Sequence, residues 1–75
     1  MITVKLFGLV RVETGIKQLQ VEAANVRQLQ KALSQYIPEE AIKGCVLLVN
    51  GKRANRFTKL SSGDQVMLMP PVAGG

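Results

Sequence analysis

The chain reads as an α+β domain in two layers, a mixed sheet of four to five strands packed against one main helix. Three observations predict it. Runs of period two stand at both ends of the sequence, over residues 2–7 and 17–22 and again over 65–69. A single stretch of period 3.6 lies between them, over residues 26–36. An Asn50-Gly51 pair directly follows an apolar run, the strongest short hairpin signal in the chain. One helix on one sheet gives two layers around one core.

The elements follow in order. Ile2, Val4 and Leu6 share one face of a first strand, with Thr3, Lys5 and Phe7 on the other. Gly8 bends or ends this strand, and Leu9-Val10-Arg11-Val12 reads as its continuation. Glu13-Thr14-Gly15 is a turn, because Gly15 accepts a positive φ without a Cβ clash. Lys17–Glu22 alternates again, with Leu19 and Val21 inward, so the two runs form a hairpin. Val26, Leu29, Leu33 and Tyr36, with Ala32 beside them, form one helical face. Asn25 is the N-cap, and Gln28 stands where a capping-box partner belongs. Pro38 ends this helix by disfavouring the α region at Ile37. A short helical turn follows over Pro38–Lys43, with early acids, a late Lys and Gly44 behind it. Cys45–Val49 is continuously apolar and short, a strand covered on both faces. Asn50-Gly51 returns the chain into a short strand over Lys52–Ala54. Residues 55–64 are loop, and Gln65–Met69 is the last strand. Pro70-Pro71 has no N–H to donate and stops sheet pairing.

Composition narrows the chemistry. Seventy-five residues make one domain, and 47% hydrophobic content argues against global disorder. There is no His and one Cys, so an intrachain disulfide, a Cys/His zinc site and the usual neutral-pH general base are all excluded. No apolar run reaches the roughly 20 residues that span a bilayer. The opening residues lack the pattern of a signal peptide, so the expectation is a reduced, cytoplasmic domain. Two Phe, one Tyr and no Trp make a poor stacking platform for bases, so nucleic acid is not the expected main partner. A chain this small has little room for a pocket and its supporting shell, and it is not expected to be catalytic alone.

The end of the chain is its most informative part. After Asp64 there is no charged side chain, and the sequence closes Met69-Pro70-Pro71-Val72-Ala73-Gly74-Gly75. We divide the chain into a body over residues 1–69 and an extended, flexible tail over residues 70–75. The two prolines stiffen the root of that tail and project it from the sheet. Its one reactive group is the α-carboxylate of Gly75. Activated to an acyl-adenylate, that carboxylate becomes an electrophile open to sulfur or an amine. Glycine hinders the attack least, and Gly74-Gly75 lets backbone thread a slot too narrow for a Cβ.

Taken together, these residues resemble the MoaD family, the small subunits of molybdopterin synthase and related ubiquitin-like sulfur carriers. The resemblance covers almost the whole chain. It rests on Val4-Lys5-Leu6-Phe7 with Arg11 and Gly15, on Val49-Asn50-Gly51, on Leu60 with Gly63-Asp64-Gln65-Val66, and on Pro70 to Gly75. It departs in a shortened stretch between helix and Val49, in Met67 and Met69 where aromatics are common, and in a net charge of +5. The resemblance implies a ubiquitin-like β-grasp fold. It implies that an activating enzyme uses ATP to adenylate Gly75, that a sulfur donor converts it to a thiocarboxylate, and that the tail enters a large synthase subunit. There the sulfur would build the dithiolene of the molybdenum or tungsten cofactor. No cofactor is bound by the chain itself in this scheme. Alternatives are a ThiS-like carrier for thiamine or tRNA thiolation, and a ubiquitin-like modifier that forms isopeptide bonds.

Gly75 is thus the expected reactive residue. Gly74, Ala73, Val72, Pro71 and Pro70 are expected to bind the partner, with Phe7 and Leu68 on a partner-facing sheet surface. Lys52, Arg53, Arg56 and Lys59 read as a solvated hairpin and loop, or as a patch for an acidic protein or RNA. Arg11 reads as a surface charge, Cys45 as a small buried hydrophobe, and Asp64 as a turn residue.

Overall fold

In the computed structural model, which describes residues 1–71, five strands form one sheet and three helical segments accompany it. The strands are β1 (Ile2–Leu6), β2 (Gln18–Val21), β3 (Val46–Val49), β4 (Lys52–Arg53) and β5 (Gln65–Met69). The helices are α1 (Leu9–Thr14), α2 (Val26–Leu33) and α3 (Glu39–Lys43). The sheet runs β2-β1-β5-β3-β4. The β1–β5 pair is parallel and the other neighbours are antiparallel, so the sheet is mixed, as expected. This is the ubiquitin-like β-grasp arrangement.

Period two settles which way each strand faces. Ile2, Val4 and Leu6 of β1 are buried, as are Val66 and Leu68 of β5 and Leu47 of β3. They meet Val26, Leu29 and Leu33 of α2 in one apolar core. Asn25 caps α2 by accepting from the Gln28 N–H at 2.8 Å. The Gln28 side chain reaches back one residue further than a capping box requires, accepting from the Ala24 N–H at 2.9 Å.

Four expectations change. Leu9–Val12 is not strand but part of α1. Pairing of β1 with β2 ends at Lys5 and Gln18, and the Leu6 N–H is taken by the Lys17 carbonyl. A longer β1 would find no partner on that side, whereas a helical turn satisfies its own backbone. Gly8, at φ 69° and ψ −146°, redirects the chain, and Gly15 ends α1 in the left-handed region. Tyr36 is exposed, and the core position falls to Ile37. Helix α2 stops at Leu33, and the amides of both Tyr36 and Ile37 donate to the Leu33 carbonyl, so the helical period does not continue. Strand β3 is covered on one face only: Leu47 is buried, while Val46 and Leu48 are half-buried on the other side. Finally, the loop over 55–64 is anchored. Leu60 is in the core, its N–H donates to the Ala24 carbonyl, and Lys59 bridges Asn25.

The turns match their residue types. Asn50 and Gly51 both have positive φ, the requirement of the two-residue hairpin turn joining β3 and β4. Asp64 does more than turn the chain. Its carboxylate accepts from the Ser61 N–H at 2.8 Å and from the Asn50 side chain at 3.1 Å. Asn50 in turn accepts from the Gln65 N–H, tying the hairpin to β5. Those hydrogen bonds hold the Asp64 carboxyl below its usual range, the Ser61 amide first and the Asn50 amide second. No helix among the described residues is long and apolar enough to cross a membrane.

Candidate functional site

The reactive end expected at Gly75, with Gly74, Ala73 and Val72 before it, lies outside the described residues. The root of that segment is within them, and its surroundings define the candidate site. Pro70 and Pro71 line an apolar groove of about 260 Å³ together with Phe7, Leu9, Ala41 and Cys45. The root does not stand clear of the body. Pro70 packs against Gly8 so closely that a Cβ there would sit 2.8 Å from the Pro70 ring. Gly8 therefore does two jobs: it turns the chain into α1 and leaves room for the root of the tail.

Helix α1 supplies Leu9 to this groove, which explains a large apolar side chain left about two-thirds exposed. Cys45 is half-buried at the groove wall, packed against the core. Burial pushes its thiol up from the ordinary value, so it is a protonated, weakly nucleophilic group at neutral pH. This agrees with its reading as a small hydrophobe. Phe7, one of the expected partner-facing residues, is half-buried in the same groove.

Leu68 requires correction. It was expected on the partner-facing surface, but it is fully buried beneath the sheet, paired with Leu6 and Leu47 on the α2 side. Strand alternation gives the outer face to its neighbours instead. Met67 and Met69 point away from α2, beside Leu48 and Val46 respectively. All four are half-buried, and they form an apolar strip on the sheet face opposite α2. Lys5 flanks the strip across β1, and Arg53 flanks it across β4. The signal was present in the sequence, since Val66 and Leu68 alternate with Met67 and Met69. Only the pairing partners show which set is buried.

Among the described residues no three Cys, Asp or Glu side chains cluster as a metal would require. Arg11 is an exposed residue of α1, as expected for a surface charge. Among the described residues, the site consists of apolar surfaces around Pro70 and Pro71.

A β-grasp body with an apolar docking face and a Gly-Gly end defines the ubiquitin-like sulfur carriers. The sequence profile of the ThiS family matches residues 4–75, and the chain belongs to that family. No curated protein sequence matches it. Several solved structures do. SAMP1 from Haloferax volcanii is 25% identical, with a TM-score of 0.81, covering 99% of this chain and 98% of that one. A putative molybdopterin converting factor, subunit 1, from Pyrococcus furiosus is 26% identical, with a TM-score of 0.80 and coverage of 95% and 97%. Similar too is a chain in the complex of subunits 1 and 2 of the Helicobacter pylori molybdopterin-converting factor, at 27% identity and a TM-score of 0.72. That match covers 99% of this chain and 97% of the other.

Proposed function

We propose that this sulfur carrier works through a thiocarboxylate on Gly75 and delivers its sulfur in molybdopterin synthesis, as the small subunit of a molybdopterin synthase. The observation that carries the reading is the apolar groove at Pro70-Pro71 beside the uncovered Met67–Met69 strip. An apolar surface at the root of the terminal segment is what a large subunit receiving that segment would need to dock on. The likeness to a putative molybdopterin converting factor, subunit 1, and to a chain in a complex of subunits 1 and 2 of another such factor supports the choice of acceptor.

The chemistry balances simply. The Gly75 carboxylate attacks the α-phosphorus of ATP on an activating enzyme, and pyrophosphate leaves. A sulfide equivalent from a sulfur donor then attacks the acyl-adenylate and displaces AMP, leaving the thiocarboxylate. In the synthase, the thiocarboxylate sulfur bonds to the pterin precursor, and water then attacks the Gly75 acyl carbon, breaking its C–S bond and regenerating the carboxylate. The chain contributes a substrate terminus and a docking surface, while ATP and catalysis belong to its partners.

Intact-mass measurement after incubation with ATP, a sulfide source and the activating enzyme tests the first step. A gain equal to one oxygen replaced by sulfur, mapped to Gly75, is the expected result. Loss of Gly75 should abolish it without lowering the melting temperature. Incubating the sulfurated protein with a large subunit and the pterin precursor tests the second step. Sulfuration at Gly75 with no dithiolene product would remove the pterin assignment and keep the carrier. A second reading, a protein modifier, is favoured by the likeness to small archaeal modifier protein 1. Conjugates of higher mass joined through Gly75 to lysine would support it.

A further inference from the structure

The cations of this protein are gathered unevenly. Two grooves rich in polar side chains meet at Gln30 of α2, the second reaching Val46 at the margin of the apolar strip. One, of about 310 Å³, runs between α2 and α3 and carries Arg27, Lys31 and Lys43. The other, of about 190 Å³, runs from Gln30 to the β4 edge and carries Arg53, Asn55 and Arg56. The backbone joins them, since the Arg27 N–H donates to the Arg56 carbonyl at 3.2 Å. Five cations line this path against one carboxylate, Glu39, which pairs with Lys43 at 3.5 Å. Arg27, Lys31, Arg53 and Arg56 form no ion pair among the described residues.

The charge comes from side chains and not from the start of α2, whose first amides are already taken by Thr58, Arg56 and Asn25. At the end of the path stands Phe57. It is about three-quarters exposed, and the Arg56 guanidinium lies over its ring at 5.2 Å from the centroid. An exposed aromatic face beside a cationic groove is the arrangement that binds single strands, with phosphates on the cations and a base on the ring. The lining distinguishes this from protein docking. A specific protein interface needs an apolar anchor pocket; the α2–α3 groove is lined by Arg, Lys, Gln, Glu and Ser apart from Ile42, and the second carries Gln30, Arg53, Asn55 and Arg56 over walls that include Val26, Val46 and Leu47. The larger apolar surfaces are the Pro70-Pro71 groove and the Met67–Met69 strip, which meet the second cationic groove only at Cys45 and Val46.

We propose that the groove from Lys31 and Arg27 to Arg56 and Phe57 binds single-stranded RNA. It would do so through phosphate contacts and stacking of one base on Phe57. This goes beyond the sulfur chemistry and does not depend on it, so a chain ending at Ala73 should bind equally well.

The test is fluorescence anisotropy of a labelled uridine oligomer of about twelve nucleotides, within the usual site size for such grooves. It is titrated with the full chain across a series of salt concentrations. Five phosphate contacts at about 0.7 each predict a slope of log affinity against log salt near −3.5. Arg56→Gln and Lys31→Gln should each reduce that slope by about 0.7. Phe57→Ala should weaken binding by roughly 5- to 150-fold with the slope unchanged, the signature of lost stacking. Lys17→Gln, which removes an equal charge far from the groove, should change neither. No binding at low salt would overturn the proposal. So would equal losses from Lys17→Gln and Arg56→Gln, which would mean diffuse charge. Polyglutamate binding as tightly as RNA, with Phe57→Ala without effect, would overturn it in favour of an acidic protein partner.

Discussion

Replacing Gly8 with alanine should destabilise the protein more than any other glycine substitution in the body, for two separable reasons. The first is backbone. Gly8 sits at φ 69° and ψ −146°, a region that side-chain-bearing residues rarely enter. Holding alanine there costs about 1–3 kcal/mol. The second is contact. The new Cβ would lie 2.8 Å from Pro70 Cγ and 3.0 Å from Cδ, and the proline ring is too stiff to yield cheaply. Forcing an extra carbon into a filled site costs a further 1–3 kcal/mol or so. The total is about 2–6 kcal/mol. For a domain of this size each kcal/mol lowers the melting temperature by about 4–8 °C. Thermal unfolding followed by circular dichroism should therefore show a drop of at least about 8 °C. Adding Pro70→Ala removes Cγ and Cδ, and should recover the contact part while leaving the backbone part. Gly44→Ala is the control. That residue is helical at φ −78°, and its Cβ would meet the Glu40 carbonyl at an ordinary 3.5 Å. It should be neutral or stabilising by about 0.4–1 kcal/mol. A Gly8→Ala protein that melts with the wild type would refute the reasoning. So would a Gly44→Ala protein that loses as much.

Other consequences can be measured on the same protein. Leu29 is fully buried where α2 meets the sheet, so Leu29→Ala should cost about 2–5 kcal/mol in urea unfolding, and a loss below about 1 kcal/mol would contradict its place in the core. The Asp64 carboxyl is held below its ordinary value by Ser61 and Asn50. Its stabilising effect is thus complete above the unfolded value and is lost as pH falls through the folded one. A carboxyl titration by NMR should place Asp64 below a free aspartate, and Asp64→Asn should weaken the acid sensitivity of the Ser61 amide's exchange. Cys45 should react with iodoacetamide at neutral pH more slowly than an unstructured cysteine, because burial keeps its thiol protonated. A rate equal to that of a free peptide would show that the groove wall opens readily.

Local chemistry explains why so much of the fold was legible. The strands β1, β2 and β5 follow from alternation, the β3–β4 turn from Asn50-Gly51, and the start of α2 from Asn25. Each depends on residues close together in the chain. The misreadings share one cause, which is that a partner was missing from view. Leu9–Val12 has strand-like composition, yet β2 has no residues left to pair with it on that side. Tyr36 sits at the right helical spacing, yet α2 has already ended and Ile37 takes the core position.

The site divides along the same line. The sequence alone supplied the expectation of a reactive Gly75 behind the Pro70-Pro71 pair, because that expectation rests on consecutive residues. Tertiary structure decided which surface surrounds the root. It buried Leu68, turned Met67 and Met69 outward, and set Phe7, Leu9 and Cys45 around Pro70 and Pro71. It also brought Arg27, Lys31 and Lys43 of the helices beside Arg53 and Arg56, and laid Arg56 over Phe57. Residues so far apart in the chain become neighbours only through packing of α2 on the sheet. A linear pattern records what each residue is, and the folded chain sets what stands next to it.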